Sequence, residues 1–482
     1  MMQLFNLPAA SKPFTNRRDR VVVCGEKRSA NRTSWTRSDQ PESAVTVLER
    51  TIEENAADLV WKAASDLSPV FERIDRTTAA NTRKVLKAFR DNRIGPHHFQ
   101  GSTGYGHGDW GRESLDNVMA AVMGAEAALM RIHFFSGTHA IATALFAVLR
   151  PGDEMLAVCG HPYDTLEEVI GLRGTPGHGS LMEWGITYRE QPMTPSGSID
   201  WEALKTAIVP GKTKVAHIQR SCGYTLRPTL LISEIEKAIQ IIRAQDPYVI
   251  ITVDNCYGEF TEELEPCAVG ADLCMGSLIK NAGGTIVPGG GYVAGKQKLI
   301  GAVAARLAAP GIGIDAGQVS GTTLRLMYQG LFLGPQTTGE SLKGGRLVAE
   351  VLSREGFSVV PEPGMRPAFS MITAIHLGSR EGMETFCKTI QKMSPIGSYI
   401  EPVPGVTAGY GDEVIFADGT FIDGSTAELS ADGPMRPPYV VYCQGGTHWT
   451  HWAVCLESAV QALRDAKKLE DLPNQQIQTT HN

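Results

Sequence analysis

Long apolar runs are missing from this 482-residue chain. No stretch approaches the roughly 18–20 apolar residues that span a bilayer. The longest candidate, Ala140–Leu149, reads as a buried helix, so no membrane partner is expected. Cysteine is sparse: nine thiols are scattered from Cys24 to Cys455, an odd number with no C-x-x-C pair. That is reduced-compartment usage and excludes a disulfide scaffold. Metal-ligand spacing is absent too. His448 and His451 could share a helix face, but no third ligand stands near them, so they read as packing residues and no metal is expected. Gly104-Tyr105-Gly106 and Gly311-Ile312-Gly313 lack the strand–GxGxxG–helix context, which argues against a dinucleotide fold. There are no internal repeats.

Positive charge is short over most of the chain. The formal net charge is −7, and it is uneven. Residues 1–40 carry eight basic side chains (Lys12, Arg17, Arg18, Arg20, Lys27, Arg28, Arg32, Arg37) against Asp19, Glu26 and Asp39, a net of +5. The remaining 37 basic and 49 acidic residues leave the body at −12. Such a body lacks the clustered cationic face that nucleic-acid binding requires. The head is rich in Arg, Ser, Thr and Asn and has no apolar h-region. Residues 1–42 are therefore expected to be a transit peptide for a plastid or mitochondrion, with a disordered basic tail of a cytoplasmic protein as the alternative.

The body is 42% apolar and can bury a large core. Apolar residues at helical spacing (Val47, Leu48, Ile52, Leu59, Val60, Ala63, Val85, Leu86, Phe89) predict an N-terminal helical arm over 43–95. The Gly- and His-rich 95–111 reads as a loop. Strands and helices then alternate. Strands are predicted at Ala127–Ile132, Met155–Val158, Val215–Ile218, Tyr248–Val253, Leu273–Met275 and Gly291–Ala294. Helices are predicted at 113–123, 139–149, 164–171 and 234–244, the last capped by Ser233 with Glu236 at the capping-box position. This alternation implies a mostly parallel α/β sheet over 96–332. From 333 to 469 the pattern is α+β, with helices at 336–354, 381–392 and 447–467, suggesting a smaller C-terminal domain. Residues 470–482 are polar and read as a disordered tail.

Four features follow in an informative order. Phe135-Ser136-Gly137-Thr138-His139 lies between a strand and a helix, where small residues let backbone N–H groups face an anion. Tyr163, at the next strand–helix junction, can stack on a flat ring. Asp254 ends the apolar strand 249–253, at the strand end where open α/β sheets bind ligands. A carboxylate there is costly without a cationic partner, and a pyridinium nitrogen would be one. Lys280 follows a short apolar strand and precedes Gly283-Gly284. Desolvation there suits an amine nucleophile for Schiff-base chemistry. Singly, each reads as a cap, a turn or a surface charge. In this order they supply the parts of a pyridoxal phosphate (PLP) site.

At this point the chain resembles the fold-type I PLP-dependent enzymes, and within them the methionine gamma-lyase-like, aluminium-resistance family. The resemblance runs over most of 43–467. It rests on Ser102–Gly106, Phe135–Ala140, His161–Asp164, Arg220–Tyr224, Val253–Glu259, Ser277–Asn281 and Glu428–Tyr439. It implies a large PLP-binding domain with a mostly parallel sheet and a smaller α+β C-terminal domain. It implies that Lys280 bonds the cofactor and shuttles protons, that Asp254 pairs with the pyridinium nitrogen, and that Ser136, Gly137, Thr138 and Ser277 hold the phosphate. Tyr163 would stack on the ring, and Tyr163 or Tyr105 would protonate the leaving group. Arg436 would bind the substrate α-carboxylate as a bidentate fork. Tyr105 and Arg112 would reach a phosphate in the neighbouring subunit of a homodimer or homotetramer. The residue before the lysine, Ile279, departs from the hydroxyl that is typical of the cystathionine-lyase branch. The expected activity is a carbon–sulfur lyase acting on an amino acid by β- or γ-elimination. The alternatives are γ-replacement, aldol cleavage, transamination, or a PLP carrier with little turnover.

Overall fold

The computed structural model describes residues 56–470, apart from 365–369 and 408. The expected transit segment, residues 43–55 of the helical arm and the polar tail from 471 onward lie outside these residues.

Seven strands form the main sheet: β1 (Ala127–Arg131), β2 (Glu154–Ala157), β3 (Thr187–Glu190), β4 (Thr213–Gln219), β5 (Ile250–Asp254), β6 (Leu273–Ser277) and β7 (Gly291–Gly295). Their order is β1-β7-β6-β5-β4-β2-β3. All neighbours are parallel except β7, which runs antiparallel to both β1 and β6. Helices cover both faces, so the central strands are buried on each side and read as apolar runs without alternation. The sequence pattern anticipated six of the seven strands. It passed over β3, Thr-Tyr-Arg-Glu, an edge strand whose side chains are partly exposed and polar.

A second, six-stranded sheet has the order β10-β11-β12-β13-β9-β8, from β8 (Ser358–Val360), β9 (Ile372–His376), β10 (Gly405–Val406), β11 (Glu413–Ala417), β12 (Ser430–Pro434) and β13 (Val440–Gln444). Its pairings are antiparallel. The Arg380–Lys392 and Trp449–Glu470 helices and the C-terminal part of the Gly321–Arg354 helix bury its core. His451 bonds the Met393 carbonyl (2.9 Å) and His448 approaches Glu340 (3.5 Å).

Two sequence readings are revised. The helix expected at 234–244 is Ile232–Gln245, and its box is closed by Glu234, whose carboxylate accepts from Leu231 N (2.9 Å). The helix expected at 336–354 begins at Gly321 and runs 34 residues. The boundary placed at 332/333 therefore falls inside one continuous helix. Gly330, Gly334 and Pro335 broke the apolar pattern there, yet all three are buried. A Cβ on Gly330 would stand 2.3 Å from the Gly283 carbonyl oxygen, and one on Gly334 would stand 2.9 Å from that of Asn281. The glycines let the loop that follows Lys280 lie directly on this helix.

Candidate active site

The carboxyl ends of β4, β5 and β6 open onto a cavity of about 210 Å³. Its lining includes Ser136, Gly137, Thr138, Tyr163, Asp254, Ser277 and Lys280. Seven residues predicted from scattered motifs thus face one space.

One end is built for an anion. Ser136 is in extended conformation and caps the Gly137–Val148 helix, its hydroxyl accepting from His139 N (3.1 Å). The first-turn N–H groups of such a helix have no intrahelical acceptor, and its dipole favours negative charge. A Cβ on Gly137 would come within 3.0 Å of Ser277 Cβ and 3.3 Å of Cys256 Sγ. Glycine lets the helix start sit this close to β6 without displacing either neighbour. The Thr138 and Thr165 hydroxyls meet at 3.0 Å beside it.

Asp254 is the last residue of β5 and only 7% exposed. Its Oδ1 accepts from Cys256 N (3.0 Å). Among the described residues no salt bridge holds this carboxylate, so its position fits a cationic ligand group. Beneath it, His217 and Thr252 bond across β4 and β5 (2.9 Å). Burial pushes the His217 imidazole down to about 4, against the pull of Asp254, so the histidine is neutral and does not compete as a cation.

Tyr163 precedes the Asp164–Ile170 helix, and its N–H donates to Gln219 Oε1 (2.8 Å). Its ring passes Gly223, which has φ +57°; a Cβ there would lie 2.7 Å from Tyr163 Cδ2. Gly223→Ala combines that clash with a left-handed backbone cost of about 1–2 kcal/mol. Activity is expected to fall more than thermal stability, as steady-state kinetics and melting measured together will show.

Lys280 is half-buried, with Nζ 4.0 Å from the Tyr257 ring centroid. Tyr257 has φ +66°, uncommon for a bulky residue, and its hydroxyl bonds Thr426 (2.7 Å). Ser425 donates to the Ile279 carbonyl (2.8 Å), and Asn281 Nδ2 donates to the Glu259 carbonyl (3.0 Å). These bonds, with the glycine contacts to the long helix, fix the loop. The expectation that desolvation would favour the neutral amine is corrected in direction. Burial does oppose its charge, but Tyr257, Cys256 and the Asp254 carboxylate outweigh burial and hold the ammonium above the ordinary lysine range.

Sequence reasoning gave no role to the far wall. There Asp432, 1% exposed on β12, accepts from Tyr224 OH, Ser430 Oγ (3.0 Å) and Gln444 Nε2 (2.7 Å). Tyr410 OH meets Tyr163 OH at 2.6 Å. Tyr224, Tyr257 and Asp432 lie inside the quoted motifs, but nothing local marks them as cavity residues.

Three predicted residues stand apart from this lining. Tyr105 is 63% exposed on its loop and stacks on His107 (5.4 Å between ring centroids). Arg112 is buried; its Nη1 donates to the Gly317 carbonyl (3.0 Å), while Nε and Nη2 have no hydrogen-bond partner among the described residues. Arg436, in the turn after β12, is half-exposed and paired with Asp412. None of them contacts the chain's own cavity.

An anion cradle at a helix start, a stacking tyrosine, a strand-end aspartate and a lysine on the next strand's exit loop, across a sheet of this order, define the fold-type I class of PLP-dependent enzymes. The chain belongs to the methionine gamma-lyase family, whose sequence profile matches residues 56–464. It is 47% identical over 399 residues to the Bacillus subtilis (strain 168) uncharacterized protein YnbB, covering 83% of this chain and 94% of that one. It superposes on the crystal structure of a carbon-sulfur lyase involved in aluminum resistance from Clostridium novyi NT. That match has a TM-score of 0.81 and 41% identity, over 88% of this chain and 99% of the other. A shorter match, 30% identical over 187 residues, is to L-methionine gamma-lyase of Pseudomonas putida, covering 39% of this chain and 41% of that one.

Proposed function

We propose that this protein is a PLP-dependent carbon–sulfur lyase that cleaves a sulfur-containing amino acid by β- or γ-elimination. The observation that carries the reading is the convergence of Lys280, Asp254, Tyr163 and the Gly137 helix start on one cavity. When bound, the cofactor supplies an electron sink for the carbanion formed at the α-carbon. The chain's residues do the rest. Gly137 and Thr138 N–H groups, with Ser136 and Ser277, hold the phosphate. Asp254 holds the ring nitrogen, and Tyr163 covers the ring face. Lys280 would hold the cofactor's aldehyde end and, as a free amine, would carry the α-proton. Tyr163 hands a proton to the leaving sulfur.

The assignments away from the cavity belong to the same reading. Tyr105 acts on the phosphate of a neighbouring subunit in a homodimer or homotetramer, Arg112 joins it only after turning out of its buried contact with Gly317, and Arg436 receives the substrate carboxylate after leaving Asp412. The basic head directs the chain to a plastid or mitochondrion. Arg436→Ala is expected to raise KM for amino-acid substrates about tenfold or more, in keeping with a charge-assisted bond worth roughly 1.5–3 kcal/mol, with cofactor occupancy little changed. The reverse pattern would remove Arg436 from the substrate site.

A panel of L-methionine, L-cysteine, cystathionine and homocysteine, assayed for keto acid and thiol, tests the activity. Keto acid and thiol in equal amounts support elimination. Thiol without keto acid would favour replacement. No product from any of them would sink the lyase reading.

A further inference from the structure

The cavity's far wall carries a string of phenols that ends on a buried carboxylate. Tyr163 OH bonds Tyr410 OH (2.6 Å). Tyr410 packs beside Tyr224, their ring centroids 5.7 Å apart, and the string closes when these two hydroxyls turn toward each other. Tyr224 OH donates to Asp432. The links come from distant parts of the chain: Tyr163 before its helix, Tyr224 in the loop after β4, Tyr410 before β11 and Asp432 on β12. The string has a direction, because each phenol has one proton to give. With Asp432 ionised, Tyr224 gives its proton to Asp432, Tyr410 can give to Tyr224, and Tyr163 to Tyr410. Tyr163 then has no proton left for a ligand. With Asp432 protonated every donor can reverse, and Tyr163 OH points into the cavity.

We propose that Tyr410, Tyr224 and Asp432 form a proton relay that acts through Tyr163 on the departing sulfur. This rests on the lyase reading and deepens it: the three are positioning residues, and Tyr163 is the group that touches substrate. The carbon–sulfur bond breaks with its electron pair on sulfur. Tyr163 gives its proton to that thiolate and is reprotonated by Tyr410, Tyr410 by Tyr224, and Tyr224 by the Asp432 carboxylic acid. Thiol is formed, and Asp432 is left as carboxylate until water at the cavity mouth returns the proton. The α-proton stays on Lys280, so the two proton movements are separate.

The surroundings of Asp432 suit a carboxyl that keeps its proton into mildly acidic solution, well above the ordinary carboxylate range. Burial raises it to about 6, against donation from Tyr224, Ser430 and Gln444. Asp418, beyond β11, raises it further. The other titratable groups facing it are neutral thiols and phenols: Cys387 from the Arg380–Lys392 helix, Cys443 from β13, and Tyr257 and Tyr442. No cation pairs with it among the described residues.

The test uses two substrates whose leaving groups differ in their need for a proton. S-ethyl-L-cysteine releases a basic thiolate, whereas 3-chloro-L-alanine releases chloride. L-Methionine and 2-amino-4-chlorobutanoate serve if cleavage is at Cγ. In the loaded enzyme, Asp432→Asn is expected to slow thioether cleavage on the order of 10²-fold, the general-acid range, and chloride elimination by no more than about twofold. Tyr410→Phe, which interrupts the string elsewhere, should give the same split. In the wild type, kcat for the thioether should fall as pH rises through the Asp432 titration, because the donor is the protonated form. The chloride substrate should lack that limb, and Asp432→Asn should abolish it. Carbon-13 NMR of labelled aspartates, with and without cofactor, supplies a readout apart from turnover: one carboxyl should titrate near 6 and vanish in Asp432→Asn. Equal losses on both substrates, or an unchanged thioether limb, would overturn the relay while leaving the lyase reading intact. A wild type that loads cofactor but cleaves neither substrate would sink the lyase reading, and the relay with it.

Discussion

Lys280→Ala is expected to abolish covalent attachment of PLP and to lower turnover by about three orders of magnitude or more, within the range of losing a positioned general base together with a covalent anchor. The fold should survive. Lys280 makes no salt bridge among the described residues, and its ammonium rests on one ring face, a contact worth roughly 0.5–2 kcal/mol. The loop around it is held by Ser425, Asn281 and the glycine contacts rather than by the lysine side chain. Borohydride treatment of the loaded wild type should fix the cofactor on the peptide that contains Lys280, and the variant should yield no labelled peptide. A label on another lysine would overturn the assignment. The pH dependence of loading follows from the same group. Because the ammonium is held above the ordinary lysine value, the neutral amine is scarce near pH 7 and grows about tenfold per pH unit. Cofactor capture, followed by visible absorbance, should therefore accelerate from pH 6 to 9. In Asp254→Asn, which removes the carboxylate that supports the ammonium, that rise should start at lower pH.

The near wall of this cavity was legible because its chemistry is local. A small-residue turn before a helix, an aromatic at the next turn, an acid ending an apolar strand and a lysine before two glycines each occupy a position that topology alone puts at a sheet's carboxyl edge. Consecutive strands of a parallel sheet are more often neighbours than not, and β5 and β6 do pair, which brings Asp254 and Lys280 to one edge. The far wall was not legible, because nothing local announces it. Tyr410 lies in an irregular loop, and Asp432 sits in Ser-Ala-Asp-Gly-Pro, which reads as a turn but pairs as β12. Its strand character comes from its neighbours β11 and β13, which is tertiary context and not propensity. The long helix failed for the opposite reason. Gly330, Gly334 and Pro335 are local breakers, yet packing against Gly283, Asn281 and Phe260 makes small residues necessary there. The Lys280 amine is the subtlest case. Sequence reveals that a lysine is desolvated, but its direction of shift depends on Tyr257, Cys256 and Asp254, which only the folded chain brings beside it.

Asp254→Asn is expected to cost about two to three orders of magnitude in kcat/KM. The carboxylate is 7% exposed and has no salt-bridge partner among the described residues. A buried charge of this kind persists because a ligand completes it. Removing one member of a buried charged pair costs roughly 3–5 kcal/mol, which at about 1.4 kcal/mol per decade gives that range. The substitution keeps the shape of the side chain and leaves an acceptor for Cys256 N, so the apo chain should melt within a few degrees of the wild type. The neutral His217 beneath cannot replace the lost charge, since it is no cation at working pH, and its Nδ1 is committed to Thr252. The loss should therefore concentrate in the electronic step. A substrate deuterated at the α-carbon should show a larger isotope effect in the variant, because α-proton removal becomes limiting once the ring nitrogen is no longer held charged. Phosphate-end affinity, read from competition by inorganic phosphate, should stay the same. If the variant instead lost phosphate binding while proton removal stayed fast, Asp254 would be a residue of the cradle and not the partner of the ring.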